Sequence, residues 1–178
     1  MIRFGIWLVL LLPFIYLVFG VFTNISPEPV KFIYTVSGIS SLVILMLSLS
    51  ISPMQRRLHV NFLKYRRLIG LFSFFYAFLH FINFAILDAE LDFGFIIKES
   101  LDKPFIFLGV ALFITLLLMT ITSTKSLFRK YGKYHKFIYI GLIIGITHFA
   151  MAQKVLGFSQ YLAILIGAIL LIERMYKR

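Results

Sequence analysis

The sequence predicts an all-α integral membrane protein, a single bundle of about six transmembrane helices. Hydrophobic residues make up 61% of the 178 residues and charged residues only 14%, whereas soluble domains carry about 25% charged residues. The apolar residues form long runs that each approach the roughly 20 residues needed to cross a bilayer. Because the cations stand between these runs, the net charge of +11 indicates membrane orientation and argues against binding to nucleic acid.

Six apolar segments are predicted to span the membrane, with bounds set by prolines and charged residues. The first run begins after a single arginine and lacks a small-residue cleavage site, so we expect it to be retained as a helix. No internal repeat or separate soluble segment is found, and residues 1–178 are expected to form one transmembrane domain. In chain order, the predicted spans are 4–22, 30–51, 68–87, 104–122, 135–152 and 158–172.

Charge alternates between the segments that connect these spans. Residues 52–67 and residues 123–136 each carry five lysines and arginines and no acid, whereas residues 88–103 carry two lysines against five acids, a net charge of −3. Lys and Arg near span ends remain on the cytoplasmic side. The alternation therefore predicts that both termini are cytoplasmic and that the acidic segment lies outside.

Two of the four histidines are predicted to lie within the membrane at the same height. The chain has no cysteine, so a metal site would have to use histidine or oxygen ligands. His80, in the third span, follows Arg66 by 14 residues, and His148, in the fifth, follows His135 by 13. At 1.5 Å per residue, both stand roughly 20 Å from the basic ends of their helices.

Neutral imidazoles at one depth on two helices are the arrangement that a bis-histidine haem requires, one nitrogen on each face of the macrocycle. We therefore predict haem between helices three and five, ligated by His80 and His148. The alternative is that each histidine only hydrogen-bonds a neighbouring helix. Ionisable residues inside spans are rare and usually functional, which favours ligation.

Gly141 and Gly145 precede His148 by seven and three residues and lie within about 60° of its face on an ideal helix. They fit two interpretations equally. Either they form a groove that accepts the edge of the haem ring, or they allow close helix packing through a GxxxG pattern.

The basic ends of the same two helices present a second candidate site. His135 is either a ligand of a second haem or an ordinary interfacial residue. Arg66 either pairs with a haem propionate or a quinone oxygen, or anchors its helix by extending to the interface. The surrounding cationic segments could also receive an anionic flavin such as FMN. His59 is expected to be a solvated loop residue.

Four segments resemble a known family. They are RRLIGLFSFFYAFLH (66–80), DKPFIFLG (102–109), TSTKSLFRKYG (122–132) and HKFIYIGLIIGITH (135–148). Together they look like the haem-binding membrane subunit of bacterial periplasmic methionine sulfoxide reductase systems, the MsrQ family, within the ferric reductase-like transmembrane superfamily. The resemblance covers a core of about 66–152. Where the wider superfamily has a second histidine on the third helix, this chain has Arg66.

The resemblance implies one or two b-type haems, with His80 and His148 as the outer ligands and His135 as the inner one. It also implies an electron-transfer subunit in the bacterial inner membrane, without catalytic residues of its own. Quinol or a cytoplasmic flavin reductase would donate electrons, and a periplasmic molybdenum-cofactor methionine sulfoxide reductase would accept them. The alternatives are a ferric reductase-type electron carrier and a cofactor-free small transporter or assembly factor.

Overall fold

A computed structural model describes residues 2–59 and 61–176 and shows a helical bundle with no strand in these residues. In these residues, eight α-helices are joined by turns, a π-helical turn and a 3-10 segment. They are α1 (Ile2–Phe22), α2 (Pro29–Leu58), α3 (Leu63–Asn83), the π-turn (Phe84–Asp88), α4 (Phe93–Asp102), α5 (Pro104–Ile121), α6 (Lys125–Tyr131), the 3-10 segment (Gly132–Phe137), α7 (Ile138–Met151) and α8 (Phe158–Met175).

Within the described residues, five helices are long and apolar enough to cross a membrane. These are α1, α2, α3 with its π-turn, α5 and α8, so the chain is a multi-pass membrane protein. α7 has 14 residues and is about 21 Å long, shorter than a hydrocarbon core of about 30 Å. The 3-10 segment before it adds six residues, or about 12 Å. The two together are long enough to span, and a sixth crossing stays a prediction.

The structure differs from the predicted segments in three places. The fifth helix does not begin at His135, which lies in the 3-10 segment; no side chain caps the first turn of α7, and such tighter turns are common at helix ends. The acidic segment contains α4, which Asp92 caps by accepting hydrogen bonds from Gly94 N (2.8 Å) and Phe95 N (3.1 Å). The second basic segment likewise contains α6.

α2 lies at the centre of the bundle and contacts α1, α3, α7 and α8. One apolar cluster joins α2 to α5, α7 and α8, and a second joins it to α1 and α3. The first contains Leu42, Leu45, Met46, Leu49, Leu116, Leu142, Ala163 and Leu170. The second contains Leu10, Ile44, Phe72 and Tyr76.

Buried serines bring α2 and α3 close together. Ser41 Oγ donates to Ser73 O and Ser73 Oγ donates to Ser41 O, each at 3.0 Å. Small residues at a membrane helix interface allow the backbones to approach, and bonds across it satisfy polar groups that lipid cannot. The reciprocal pair thereby fixes the height of α3, the helix that carries His80, against α2.

The Tyr76 hydroxyl enters the hydrogen-bond ladder of α1 at the residue after Pro13. This fully buried hydroxyl accepts from Phe14 N at 3.0 Å and donates to Leu10 O at 2.7 Å. These two main-chain groups would bond each other in an uninterrupted helix. A side chain inserted into the ladder is a recognised cause of helix bending, and here it satisfies both freed groups.

The two ends of the bundle carry opposite charge. At the first, which we call the basic end, Arg56 and Arg57 of α2 form ion pairs with Glu173 of α8. The opposite end, here the histidine end, includes the start of α2 and the π-turn, where the Tyr34 hydroxyl donates to Asp88 Oδ2. The acidic segment 88–103 lies at this second end.

Candidate functional site

His80 of α3 and His148 of α7 face each other between the helices. Their ring centres are 6.1 Å apart and their planes are inclined at 89°. The residue counts along the two helices predict this shared height, and the structure confirms it. The ligation of a metal by the pair stays a prediction.

Both imidazoles are bonded in the same way to the backbone of a neighbouring helix. His80 Nδ1 lies 3.1 Å from Tyr34 O of α2, and His148 Nδ1 lies 2.6 Å from Phe105 O of α5. A carbonyl oxygen only accepts, so each Nδ1 carries the hydrogen and each Nε2 keeps its lone pair. Metal-ligating histidines are held in the correct tautomer by such a bond from the ring nitrogen that does not bind the metal.

Two glycines that the sequence analysis did not single out make room for these rings. A Cβ at Gly38 would lie 2.9 Å from His80 Nδ1 and Cε1, and a Cβ at Gly109 would lie 2.8 Å from His148 Cε1. A larger residue at either position would displace the imidazole. Gly109 is the last residue of the DKPFIFLG segment, which is the only signal that could have pointed to it.

Gly141 and Gly145 serve helix packing and do not form a groove for a ligand. Both are buried, and a Cβ on them would lie 3.4 Å and 3.0 Å from the two methyl groups of Leu112 on α5. The structure therefore matches the packing interpretation. The ring-edge interpretation is wrong here because Leu112 fills the space.

The histidine pair fits the axial positions of a haem. Two metal–imidazole bonds of about 2 Å, with about 1.1 Å from each ring centre to its nitrogen, separate the centres by about 6 Å, close to the distance found. No cluster of three or more His, Cys, Asp or Glu that could hold a metal ion occurs in the described residues. Haem supplies nitrogen ligands of its own, so two imidazoles would suffice to hold it.

Aromatic side chains flank the pair. The Tyr34 ring meets the His80 ring edge-on at 5.2 Å, and the Phe105 ring stacks on the His148 ring at 6.3 Å and 24°. The residues whose carbonyls hold the imidazoles thus also contact them with their side chains. This gives the pair an apolar surround suited to a macrocycle.

Arg66 and His135 lie near each other at the basic end. Arg66 Nη1 donates to Ser52 Oγ at 3.1 Å. His135 Nε2 lies 3.0 Å from Thr122 Oγ1. Burial lowers the pKa of His135, its bonding to Thr122 opposes this, and the Arg66 charge lowers it further.

The structure does not place a second imidazole opposite His135 in the described residues. The Thr122 hydroxyl donates to Leu118 O at 2.6 Å, so His135 Nε2 donates to it and leaves the Nδ1 lone pair free. His59, the remaining histidine, is exposed at the end of α2, as expected. In the described residues, the basic end therefore presents a single imidazole, whereas the histidine end presents two that face each other.

The family model described as ferric reductase like transmembrane component matches residues 4–152. The chain belongs to the ferric reductase-like transmembrane family. The matched range includes His80, His148, His135 and Arg66. It also includes α1 and α2, which the motif-based core of 66–152 leaves out.

Within this family, the chain is similar to proteins named protein-methionine-sulfoxide reductase heme-binding subunit MsrQ. The one from Ralstonia nicotianae is 32% identical over 83% of this chain and 71% of its own length. The one from Rhizobium meliloti is 31% identical over 98% and 84%, and the one from Agrobacterium fabrum is 37% identical over 71% and 61%. No solved structure matches the chain.

Proposed function

We propose that this chain is a haem-binding subunit that carries electrons across the membrane for a methionine sulfoxide reductase. The observation that carries the proposal is the facing pair, His80 and His148, each tied through Nδ1 to a main-chain carbonyl. The family and the names of the curated relatives support it.

The chain's own residues would hold, orient and shield the cofactor. His80 and His148 present Nε2 lone pairs, and the carbonyls of Tyr34 and Phe105 keep both rings in that tautomer. Gly109 leaves room for the His148 ring. Haem b bound there would supply a one-electron carrier inside the apolar bundle.

Electrons would enter at the basic end and leave at the histidine end. Arg66 is positioned to pair with a carboxylate or a quinone oxygen, because its guanidinium lies near His135 and only a serine hydroxyl bonds it among the described residues. The candidates there are a second haem held by His135, a quinone and FMN. Quinol or a cytoplasmic flavin reductase would be the donor.

The acceptor would be a periplasmic molybdenum-cofactor methionine sulfoxide reductase. The separation of cations and acids between the two ends supports a histidine end that faces outside, since Lys and Arg near span ends stay cytoplasmic. The protein would then lie in the bacterial inner membrane with both termini in the cytoplasm. It would act as the electron-transfer subunit, and the reductase as the catalytic one.

The visible spectrum of the detergent-purified protein tests the proposal. We expect a red protein with a sharp low-spin b-type spectrum after reduction with dithionite. His80→Ala and His148→Ala should each remove the same haem, since the iron would lose one of its two axial ligands. His59→Ala, at an exposed position, is the matched control and should keep the spectrum.

A colourless protein from haem-replete cells, or a full spectrum in both variants, would refute haem binding by this pair. A cofactor-free transporter or assembly factor predicts that colourless result. The family description favours a second electron-transfer candidate, a ferric reductase-type carrier. Rapid reoxidation of the reduced protein by a ferric chelate, but not by a methionine sulfoxide reductase, would support the second candidate over the first.

A further inference from the structure

α4 is a short helix held at the edge of the membrane by its neighbours in the chain. It follows the apolar stretch Leu63–Asp88, and Lys103 alone separates its last residue from α5, another candidate span. Two residues with positive φ, Glu90 (47°) and Leu91 (62°), turn the chain sharply before it. α4 must therefore lie close to the bilayer surface at the histidine end.

One stripe of α4 carries large apolar side chains that the bundle does not cover. Phe93, Ile97 and Leu101 are 77%, 63% and 73% exposed. Spaced by four residues, they fall within about 80° of one another around the helix axis. Adjacent to this stripe, the buried Ser100 marks the side that packs against α5.

Away from the stripe, the helix carries exposed charged residues together with Phe95, which is 38% exposed. Lys98 and Asp102 are exposed, and each lies about 100° around the axis from the apolar residue that precedes it. Glu99 forms an ion pair with Lys103 at 2.5 Å. One flank of the helix thus carries the exposed apolar stripe, and the flank with Lys98 and Asp102 carries the exposed charges.

Lipid is the occupant that this arrangement favours. Large apolar side chains are also uncovered in the chain on either side of α4, at Leu91 in the preceding turn and at Phe107 on α5. An amphipathic helix with a charged face and an apolar face lies in the interface plane, its apolar side at the boundary of the acyl chains.

We propose that α4 lies flat in the outer interface of the histidine end, with Phe93, Ile97 and Leu101 among the acyl chains. Lys98 and Asp102 then face water. The contact would also bear on the paired site, because α4 leads directly into the first turn of α5, where Phe105 O holds His148. The inference goes beyond the proposed function and does not depend on haem.

Single-cysteine spin labelling tests this placement, and the natural absence of cysteine makes each label unique. Ile97→Cys and Leu101→Cys probe the stripe, and the neighbouring Lys98→Cys and Asp102→Cys are matched controls on the polar side. The full-length variants are labelled with a nitroxide and reconstituted into phosphatidylcholine vesicles. Power saturation then compares collisions with oxygen, which concentrates in lipid, and with a water-soluble nickel chelate.

At positions 97 and 101, we expect oxygen accessibility to exceed chelate accessibility several-fold, with the reverse at 98 and 102. High chelate accessibility at all four positions would overturn the proposal, because the stripe would then face water. Low accessibility to both reagents at 97 and 101 would also overturn it, since protein would cover the stripe. Dilution with excess lipid would then show whether that protein is a second copy of the chain.

Discussion

The acceptors that orient His80 and His148 are main-chain carbonyls, so no single side-chain substitution can remove them. Their positions depend instead on how closely α2 approaches α3 and how closely α5 approaches α7. Gly38 and Gly109 set that approach, because a Cβ at either would fall within 3 Å of an imidazole atom. The geometry of the pair therefore requires glycine at both positions.

Gly109→Ala should therefore weaken haem binding without changing either ligand. The added methyl would overpack the site by about 1–3 kcal/mol, or about 5- to 150-fold in affinity, by pushing His148 away from Phe105 O. The haem-to-protein ratio of the purified variant, measured from the reduced-minus-oxidised spectrum, checks this expectation.

Gly5→Ala is the control, since nothing among the described residues lies within 4 Å of the Cβ that it would add. It should bind haem like the unmodified chain. Full haem content in Gly109→Ala would mean that the close approach of α5 has no part in holding His148.

Within the elements, two irregular features have local causes. Pro13 has no main-chain donor to offer in α1, and one residue later the Tyr76 hydroxyl bridges Phe14 N and Leu10 O. The 3-10 segment before α7 tightens the chain where no capping side chain is present. Hydropathy alone predicts neither feature, because both depend on hydrogen bonds and hydropathy measures only apolar length.

Tyr76→Phe should destabilise the bundle. It would leave Phe14 N and Leu10 O without the bridging hydroxyl in an apolar surround, a cost of about 1–3 kcal/mol. For a chain of this size, each kcal/mol lowers the melting temperature by about 2–4 °C. Thermal unfolding in detergent, followed by circular dichroism, measures the shift.

The comparison for this measurement is Tyr161→Phe, which also removes one hydroxyl, from a side chain that is 60% exposed. Its melting temperature should stay unchanged. Equal melting of both variants would show that Phe14 N and Leu10 O do not need the Tyr76 hydroxyl.

Across the whole molecule, the separation of charge determines the expected direction of electron flow. Five of the seven acids lie in residues 88–103, at the end that also holds the histidine pair. The ion pairs of Arg56 and Arg57 with Glu173 join two helices at the other end. From the positive-inside rule, we therefore expect the paired site to be the outer one and Arg66 to belong to the inner one.

Cysteine labelling tests this orientation. Glu90→Cys should react with a membrane-impermeant reagent added from the periplasm, and Arg129→Cys should be spared until the membrane is permeabilised, because basic segments stay cytoplasmic. The chain has no cysteine of its own, so the background is clean. The reverse pattern would invert the orientation and the proposed direction of transfer.

Arg66→Ala should slow reduction of the haem by its physiological donor at least about tenfold, which corresponds to ~1.4 kcal/mol, while reoxidation of the outer site stays intact. The reason is loss of the guanidinium that bonds Ser52 and whose charge acts on His135. Stopped-flow rates, normalised to bound haem, give the comparison.

Arg67→Ala removes the same charge from the next, exposed position and should leave the reduction rate unchanged. If both variants, or neither, slow the reduction, Arg66 has no specific role at the entry site. It would then only anchor α3 at the interface.

Local properties of the chain were enough to predict most of the architecture. The apolar runs predicted the spanning helices, because crossing a bilayer requires about 20 apolar residues. Counting residues from Arg66 and His135 placed His80 and His148 at one height, because helix rise is constant. The 3-10 segment at His135 rises more per residue than an α-helix, but this changed the expected height of His148 only slightly.

Only the tertiary structure identified the partners of these residues. Tyr34 O, Gly38 and Gly109 lie about 40 positions from the histidines they contact, and their proximity depends on how each helix is rotated about its axis. The same rotation turned Gly141 and Gly145 toward Leu112 and left the apolar stripe of α4 uncovered. Hydropathy and spacing describe depth along a helix, whereas rotation results from side chains packing between helices.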